Sequence, residues 1–141
     1  SGGNGWADPA ANDNEAQLVH GAKMFLTPEN RRDFPAIVIF PQCPKDDSWN
    51  TMKADRTKTP VVRDFDFSRE IAKPLRLAVD LAKSFVSNGI ADLDRVYIGG
   101  LSMGGMGTFE AVARYPDLFA AAMPIPGSIT GSQKVFLYGM P

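Results

Sequence analysis

The sequence contains a single cysteine, Cys43, and a single histidine, His20, among its 141 residues. One cysteine excludes an intrachain disulfide and a cysteine-based zinc cluster, and one histidine excludes a histidine-rich metal site. The carboxylate pair Asp46-Asp47 is a weak metal pattern, and a solvated turn is the better interpretation of it. We therefore expect no metal.

The sequence also lacks a strong charge of either sign and a long hydrophobic run. Its 15 Lys and Arg residues face 16 Asp and Glu residues, a net charge of -1, so we expect no nucleic-acid partner. No apolar run is long enough to span a membrane, and the amino terminus lacks the pattern of a signal peptide. With 44% hydrophobic residues, the chain is predicted to be soluble and to form one domain over residues 1–141. Its cellular compartment is not determined by the sequence.

Segments that alternate between strand and helix patterns predict an α/β fold with a mainly parallel sheet and flanking helices. The β-branched run 36–40, between two prolines, is typical of a strand buried on both faces. The region 42–67 is predicted to be a long loop, either functional or partly disordered. Further strands are predicted at 95–99, which should be buried, at 119–125 and at 135–138, and helices at 14–26, 74–87 and 108–115.

Gly100-Leu101-Ser102-Met103-Gly104 matches the G-x-S-x-G pattern of a nucleophile elbow. In such an elbow the serine stands on a sharp strand-to-helix turn, and small neighbours allow the turn to close. The following helix directs its first amides and the positive end of its dipole at the place where an oxyanion would form. Ser102 is therefore the candidate nucleophile and the amide of Met103 the candidate first oxyanion donor. The alternative is a glycine-rich turn without chemistry.

The elbow and its continuation, Ala113-Arg114-Tyr115-Pro116-Asp117-Leu118-Phe119, resemble the α/β-hydrolase esterases. The likeness is greatest to their phospholipase/carboxylesterase and polyhydroxyalkanoate-depolymerase-like branch. Residues 12–18 and Phe40-Pro41-Gln42-Cys43-Pro44 are also similar to that branch. The resemblance implies an acyl-enzyme on Ser102, no cofactor, and a small-molecule or polymeric ester as substrate.

The resemblance covers only the middle of such a domain. In that family a His-Gly dipeptide precedes a glycine-rich oxyanion loop, and Ser1-Gly2-Gly3-Asn4-Gly5 resembles that loop alone. The likeness implies a second oxyanion donor in the amide of Ser1 or Gly2, the alternative being a frayed terminus. The family's acid and base follow its serine, whereas no histidine follows Ser102 here and Asp117 is the only later aspartate. We therefore expect a partial α/β-hydrolase domain that lacks its early strands and its carboxy-terminal part.

The sequence also predicts a role for each of three further residues. Trp49 is a candidate for the substrate pocket, because ligand sites in open α/β sheets lie at the carboxyl ends of strands. Its alternative role is to fix the long loop to the core. His20 is expected to be structural or exposed, since it precedes the nucleophile within a predicted helix. Cys43 is expected to be buried and inert.

A second hypothesis of a different class is a catalytically incomplete scaffold that self-associates or complements another chain. A sheet without its early strands would expose pairing edges and an apolar face, which favours such association. A serine–aspartate dyad of the patatin type is disfavoured, because no Asp-Gly pair follows the elbow.

Overall fold

The computed structural model describes residues 6–7, 15–19, 21–59 and 61–125. Its strands are β1 (Trp6–Ala7), β2 (Cys43–Pro44), β3 (Lys53–Asp55), β4 (Val62–Asp64), β5 (Tyr97–Leu101) and β6 (Ala121–Ile125). Its α-helices are α1 (Pro28–Asp33), α2 (Lys73–Ser87) and α3 (Met103–Arg114). Short 3-10 helices span Ala16–Val19, Ala22–Leu26 and Leu93–Arg95.

The strands pair two by two. β1 and β2 are parallel, β3 and β4 form an antiparallel hairpin, and β5 and β6 are parallel. In the last pair Tyr97 lies opposite Ala121, and Leu101 lies opposite Ile125. Two parallel strands need a crossover connection, and α3 is that connection. The α/β fold with mainly parallel strands is thus confirmed.

The two long helices are where the sequence predicts them. α2 has Pro74 in its first turn, where the missing N–H has no intrahelical partner to lose. It ends before Gly89, whose φ of 69° is the left-handed conformation that glycine adopts at low cost. α3 begins at Met103 rather than Thr108, directly after the serine, and it ends at Arg114, before Pro116.

The elbow strand is shifted and less buried than predicted. β5 occupies residues 97–101 instead of 95–99, and its side chains alternate between exposed and half-buried. Ile98 packs against the core, whereas Tyr97 is 67% exposed and Met123 on β6 is 65% exposed. The expectation of a buried elbow strand is therefore wrong, because only one face of the β5–β6 pair is covered.

The predicted helix over 14–26 is also wrong. The described part of this stretch forms two 3-10 helices, and Gly21, at a φ of 95°, lies between them. A left-handed residue cannot continue a right-handed helix. α1 begins just after this stretch, where Thr27 Oγ1 accepts a hydrogen bond from Asn30 N (3.2 Å) and Pro28 occupies the first turn.

The predicted strand over 36–40 is not formed, since residues 35–42 have no regular structure. A strand requires a neighbour for its backbone N–H and C=O groups, and no segment of the described ranges pairs with this one. Ile37, Val38 and Ile39 are exposed as a result. The prediction of a strand buried on both faces is therefore wrong, because an apolar composition does not supply the neighbour with which a strand must pair.

The predicted loop over 42–67 contains the short β3–β4 hairpin, so the expectation of an uninterrupted loop is wrong. Its strands are only three residues long each, too short to show an apolar alternation. The strand predicted at 135–138 lies outside the described residues.

A small core joins these elements. Its members come from β2, the loop after it, α2, α3 and the segment before β6: Cys43, Trp49, Leu75, Val79, Ala111, Leu118 and Phe119. Within the described ranges, no helix is long and apolar enough to cross a membrane.

Candidate active site

Ser102 has the backbone of a strained turn. Its φ is 54° and its ψ is -116°, and it is the only non-glycine residue at positive φ in the part of the chain that the structure describes. A side chain in this region costs about 1–3 kcal/mol and persists only where the surroundings fix it. Such strain in a serine between a strand and a helix is the geometry that the sequence motif requires.

The surroundings that fix the turn are close backbone contacts. A Cβ on Gly100 would overlap the carbonyl oxygen of Gly104 and lie 2.8 Å from the nitrogen of Gly105. Ser102 N donates to Ile125 O (2.8 Å), which carries the β5–β6 pairing up to the serine itself. Glycine at position 100 is therefore a steric requirement of the elbow.

The first amides of α3 directly follow Ser102. Met106 N donates to Ser102 O (3.1 Å), which closes the first turn of the helix. The amides of Met103, Gly104 and Gly105 precede that bond and belong to the helix end without intrahelical partners. The Met103 amide directly follows Ser102, as expected of the first oxyanion donor. That it binds an oxyanion stays a prediction.

The Ser102 side chain is half-buried and makes no capping hydrogen bond to its own helix. Among the described residues, no acid or base forms a hydrogen bond with its hydroxyl. Asp117 lies exposed in the turn after α3. His20, Ser1 and Gly2 lie outside the described residues, so the base and the second oxyanion donor stay predictions.

A buried ion pair on α3 is the main feature that the sequence reasoning missed. Glu110 is 1% exposed, and its Oε1 accepts from Arg114 Nε (2.8 Å). Its Oε1 also accepts from Thr51 Oγ1 (2.8 Å) and its Oε2 from Thr51 N (2.6 Å). The signal was present, because a Glu and an Arg at i and i+4 stand on an otherwise apolar helix.

Arg114 extends this network to a third segment. Its Nη1 donates to Phe67 O (3.1 Å) and its Nη2 to Arg69 O (2.8 Å). The Arg114 guanidinium also lies 5.7 Å from the centre of the Phe67 ring. The elbow helix is thereby tied both to the loop before β3 and to the turn after β4.

Trp49 lies in the core and touches the elbow helix. It is 5% exposed, and a Cβ on Gly107 would lie 2.6 Å from Trp49 Cβ and 2.8 Å from Trp49 O. The indole Nε1 is buried without a hydrogen-bond partner among the described residues. Trp49 does fix its loop to the core, and its part in a substrate pocket stays a prediction.

Cys43 is fully buried, as expected. Burial, and secondarily the negative charge of Asp47, raises the pKa of the thiol from 9.0 to about 11. A thiol with such a pKa carries almost no thiolate at neutral pH, which agrees with an inert role. The described ranges contain no group of three or more His, Cys, Asp or Glu side chains that could hold a metal ion.

A cavity of about 400 Å³ lies elsewhere, between the second 3-10 helix, α1 and the stretch after it. Phe25, Phe34 and Val38 supply much of its apolar wall. Ser102, Met103 and Trp49, the described candidate residues, do not line it, so it is not assigned to the ester site.

Comparison with known proteins gives two findings. The sequence model of the prolyl oligopeptidase family (peptidase S9) matches residues 76–130, a span that contains the elbow. A solved structure described as that of a thermostable esterase is similar to the chain, with 34% identity and a TM-score of 0.68. The similarity covers 87% of this chain and 30% of the esterase, so the chain spans less than a third of that protein's length. No curated protein gave a significant match.

These findings and the elbow define the class of protein. The chain has an α/β-hydrolase fold of the esterase-like kind, as the resemblance implied. Both comparisons liken the chain to hydrolases, a peptidase family in one and an esterase in the other.

Proposed function

We propose that Ser102 is the nucleophile of a serine carboxylic-ester hydrolase, to which this chain contributes the elbow, the first oxyanion donor and part of the substrate site. The single observation that carries the proposal is the strained conformation of Ser102 at the N-terminus of α3. The thermostable esterase, at 34% identity, supports an ester as the substrate.

The reaction would proceed in two steps. Ser102 Oγ bonds to the carbonyl carbon of the ester while its hydroxyl proton passes to a base, and the amide of Met103 stabilises the resulting oxyanion. Collapse of this intermediate breaks the carbon–oxygen bond and releases the alcohol, which takes up that proton. Water then attacks the acyl-serine, releasing the carboxylic acid and restoring the hydroxyl. No cofactor enters either step.

Phosphonylation of the serine tests the proposal directly. The chain is treated with an alkyl fluorophosphonate and its intact mass is measured before and after, with Ser102→Ala as the control. We expect one adduct, formed as Ser102 Oγ bonds to phosphorus while fluoride and the hydroxyl proton leave, and no adduct on the control. Equal modification of the control would contradict the assignment of Ser102, and a folded chain that stays unmodified would contradict hydrolase activity of this chain and favour the incomplete scaffold.

The second candidate is a scaffold that self-associates or complements another chain. It is favoured by the exposed face of the β5–β6 pair, where Tyr97, Leu101, Met123 and Ile125 stand together. Gel filtration decides between association and a monomer, and a monomer that forms the serine adduct supports the hydrolase alone.

A further inference from the structure

The cavity of about 400 Å³ beside α1 is formed by one short stretch of the chain. Its lining comes from the second 3-10 helix, from α1 and from the segment after α1: Met24, Phe25, Asn30, Arg31, 34–36 and Val38. Clefts that bind small molecules usually have volumes of roughly 300–1,000 Å³. The cavity is therefore large enough for a small organic ligand.

Hydrogen bonds and a ring contact hold the walls of the cavity together. Asn30 Nδ2 donates to Met24 O (2.7 Å), which joins α1 to the 3-10 helix before it. Phe34 N donates to Asn30 O (2.8 Å), which fixes the segment after α1 to the end of that helix. The rings of Phe25 and Phe40 meet edge to face, with their centres 5.9 Å apart. The cavity thus has a defined shape before a ligand binds, which lowers the entropic cost of binding.

The lining is mostly apolar, and its apolar side chains are exposed. Phe34 is 76% exposed, Met24 is 56% exposed and Val38 is 41% exposed. Removal of such surface from water is favourable in proportion to its area. These side chains would therefore bind the apolar body of a ligand.

Arg31 is the one charged residue among the described residues that line the cavity. Its neighbour Arg32 does not line the cavity and is paired with Asp33, Nε to Oδ1 at 2.7 Å. The Arg31 side chain forms no hydrogen bond or ion pair with any residue that the structure describes. A guanidinium presents paired N–H groups in one plane, a geometry that the two oxygens of a carboxylate accept. The cavity thus combines an apolar wall with one positive charge that no described residue neutralises.

We propose that this cavity binds a small organic acid, whose carboxylate pairs with the Arg31 guanidinium and whose apolar body packs against the side chains around Val38. Charge complementarity selects the carboxylate end of the ligand, and the apolar lining selects its body. The site lies outside the elbow and does not depend on the proposed function of Ser102.

Isothermal titration calorimetry of the full chain with 4-butylbenzoate tests the site, and 4-butylbenzamide is a neutral probe of nearly equal shape. We expect saturable binding of one benzoate per chain. The benzamide should bind roughly tenfold more weakly, because charge-assisted hydrogen bonds are about twice as strong as neutral ones. The affinity for the benzoate alone should fall with added salt, since the lining is exposed and its charge is screened.

Two adjacent arginines provide a matched pair of variants. Arg31→Gln removes the charge from the lining, so it should weaken binding of the benzoate by roughly tenfold and leave binding of the benzamide unchanged. Arg32→Gln removes an equal charge outside the lining and should change neither affinity. Arg31→Lys keeps the charge but not the planar fork, so it should lose less affinity for the benzoate than Arg31→Gln does.

Two adjacent β-branched residues test the apolar wall in the same way. Val38 lines the cavity and is 41% exposed, whereas Ile39 does not line it and is 40% exposed. Val38→Ser should weaken binding of both probes to a similar degree, because they share the butylphenyl group, and Ile39→Ser should weaken neither. Circular dichroism verifies that each variant is folded, as we expect for substitutions at exposed positions.

Each outcome supports or overturns the site. Binding of the benzoate that is weakened by Arg31→Gln and Val38→Ser, but not by Arg32→Gln or Ile39→Ser, supports it. Equal affinity for the two probes, or equal losses in the two arginine variants, overturns the pairing of a carboxylate with Arg31. An absence of saturable binding at millimolar concentrations of the benzoate overturns the site. So does gel filtration that shows a dimer which Val38→Ser dissociates and Ile39→Ser does not, since a second copy of the chain would then cover the cavity. Ser102→Ala should bind both probes as wild type does, which keeps this test separate from that of the proposed function.

Discussion

Two adjacent glycines in β5 should respond in opposite ways to the addition of one methyl group. At Gly100 the new Cβ would overlap the carbonyl of Gly104 and crowd the nitrogen of Gly105, both of them backbone atoms at the start of α3. At Gly99 the nearest atom to a new Cβ would be Met123 O, at 3.5 Å, which is an ordinary contact. The pair therefore compares the same substitution on the two faces of one strand.

The expected magnitudes follow from these distances. Overpacking typically costs 1–3 kcal/mol, and because no flexible side chain can move away we expect about 3 kcal/mol for Gly100→Ala. In a chain of this size that corresponds to a fall of roughly 6–12 °C in the unfolding temperature. Gly99→Ala should be neutral or stabilising by about 0.5 kcal/mol, since alanine restricts the unfolded chain.

The free energy of unfolding of both variants is measured by urea unfolding, monitored by circular dichroism. Fluorophosphonate labelling of Ser102 in the same samples reports whether the elbow is formed. We expect Gly100→Ala to lose labelling along with stability, because the strand-to-helix turn cannot close around Ser102. Equal stability of the two variants would refute the reasoning, since it would mean that Gly100 is not enclosed by the turn.

Two further predictions concern single side chains. Ser102→Gly should be more stable than Ser102→Ala by about 1 kcal/mol, because glycine relieves the strain at a φ of 54° while both variants lose the serine hydroxyl. Urea unfolding that ranks alanine as the more stable would contradict this. The raised pKa of Cys43, about 11 against 9.0, means that the folded state favours the neutral thiol. Its contribution to stability is complete below pH 9 and is lost as the pH rises through about 11, so wild type should lose more unfolding free energy over that range than Cys43→Ala. Parallel pH profiles of the two proteins would show that the thiol does not titrate differently on folding.

The elbow could be predicted from sequence because its causes are local. A run of glycines around Ser102, an apolar strand before it and a proline after the next helix are all visible within about one crossover unit. Helix α2 could be predicted for the same reason, because Pro74 and Gly89 mark its two ends in the sequence. Where local pattern and local geometry determine an element, the prediction is confirmed.

The failures come from interactions between distant parts of the chain or from single backbone conformations. The strand over 36–40 has the right composition but no pairing neighbour in the described ranges, and composition does not reveal pairing. The left-handed conformation of Gly21 divides the helix that periodicity favours. The bonds from Thr51 to Glu110 join positions 59 residues apart, so only the i,i+4 pair on α3 gave any sign of that network.

Strain and anchoring on α3 belong to one physical arrangement. Ser102 keeps a conformation that costs about 1–3 kcal/mol, so contacts elsewhere must stabilise the helix that begins beside it. At its start those contacts are the Gly100 approach and the bond from Ser102 N to Ile125 O. Two turns later they are the three hydrogen bonds to the buried Glu110 carboxylate. The helix is thus fixed by the sheet beside Ser102 and, farther along, by Thr51. For the proposed reaction this matters, because a serine on a helix held in this way would keep its position as an ester binds, which is the condition for reaction at a preorganised site.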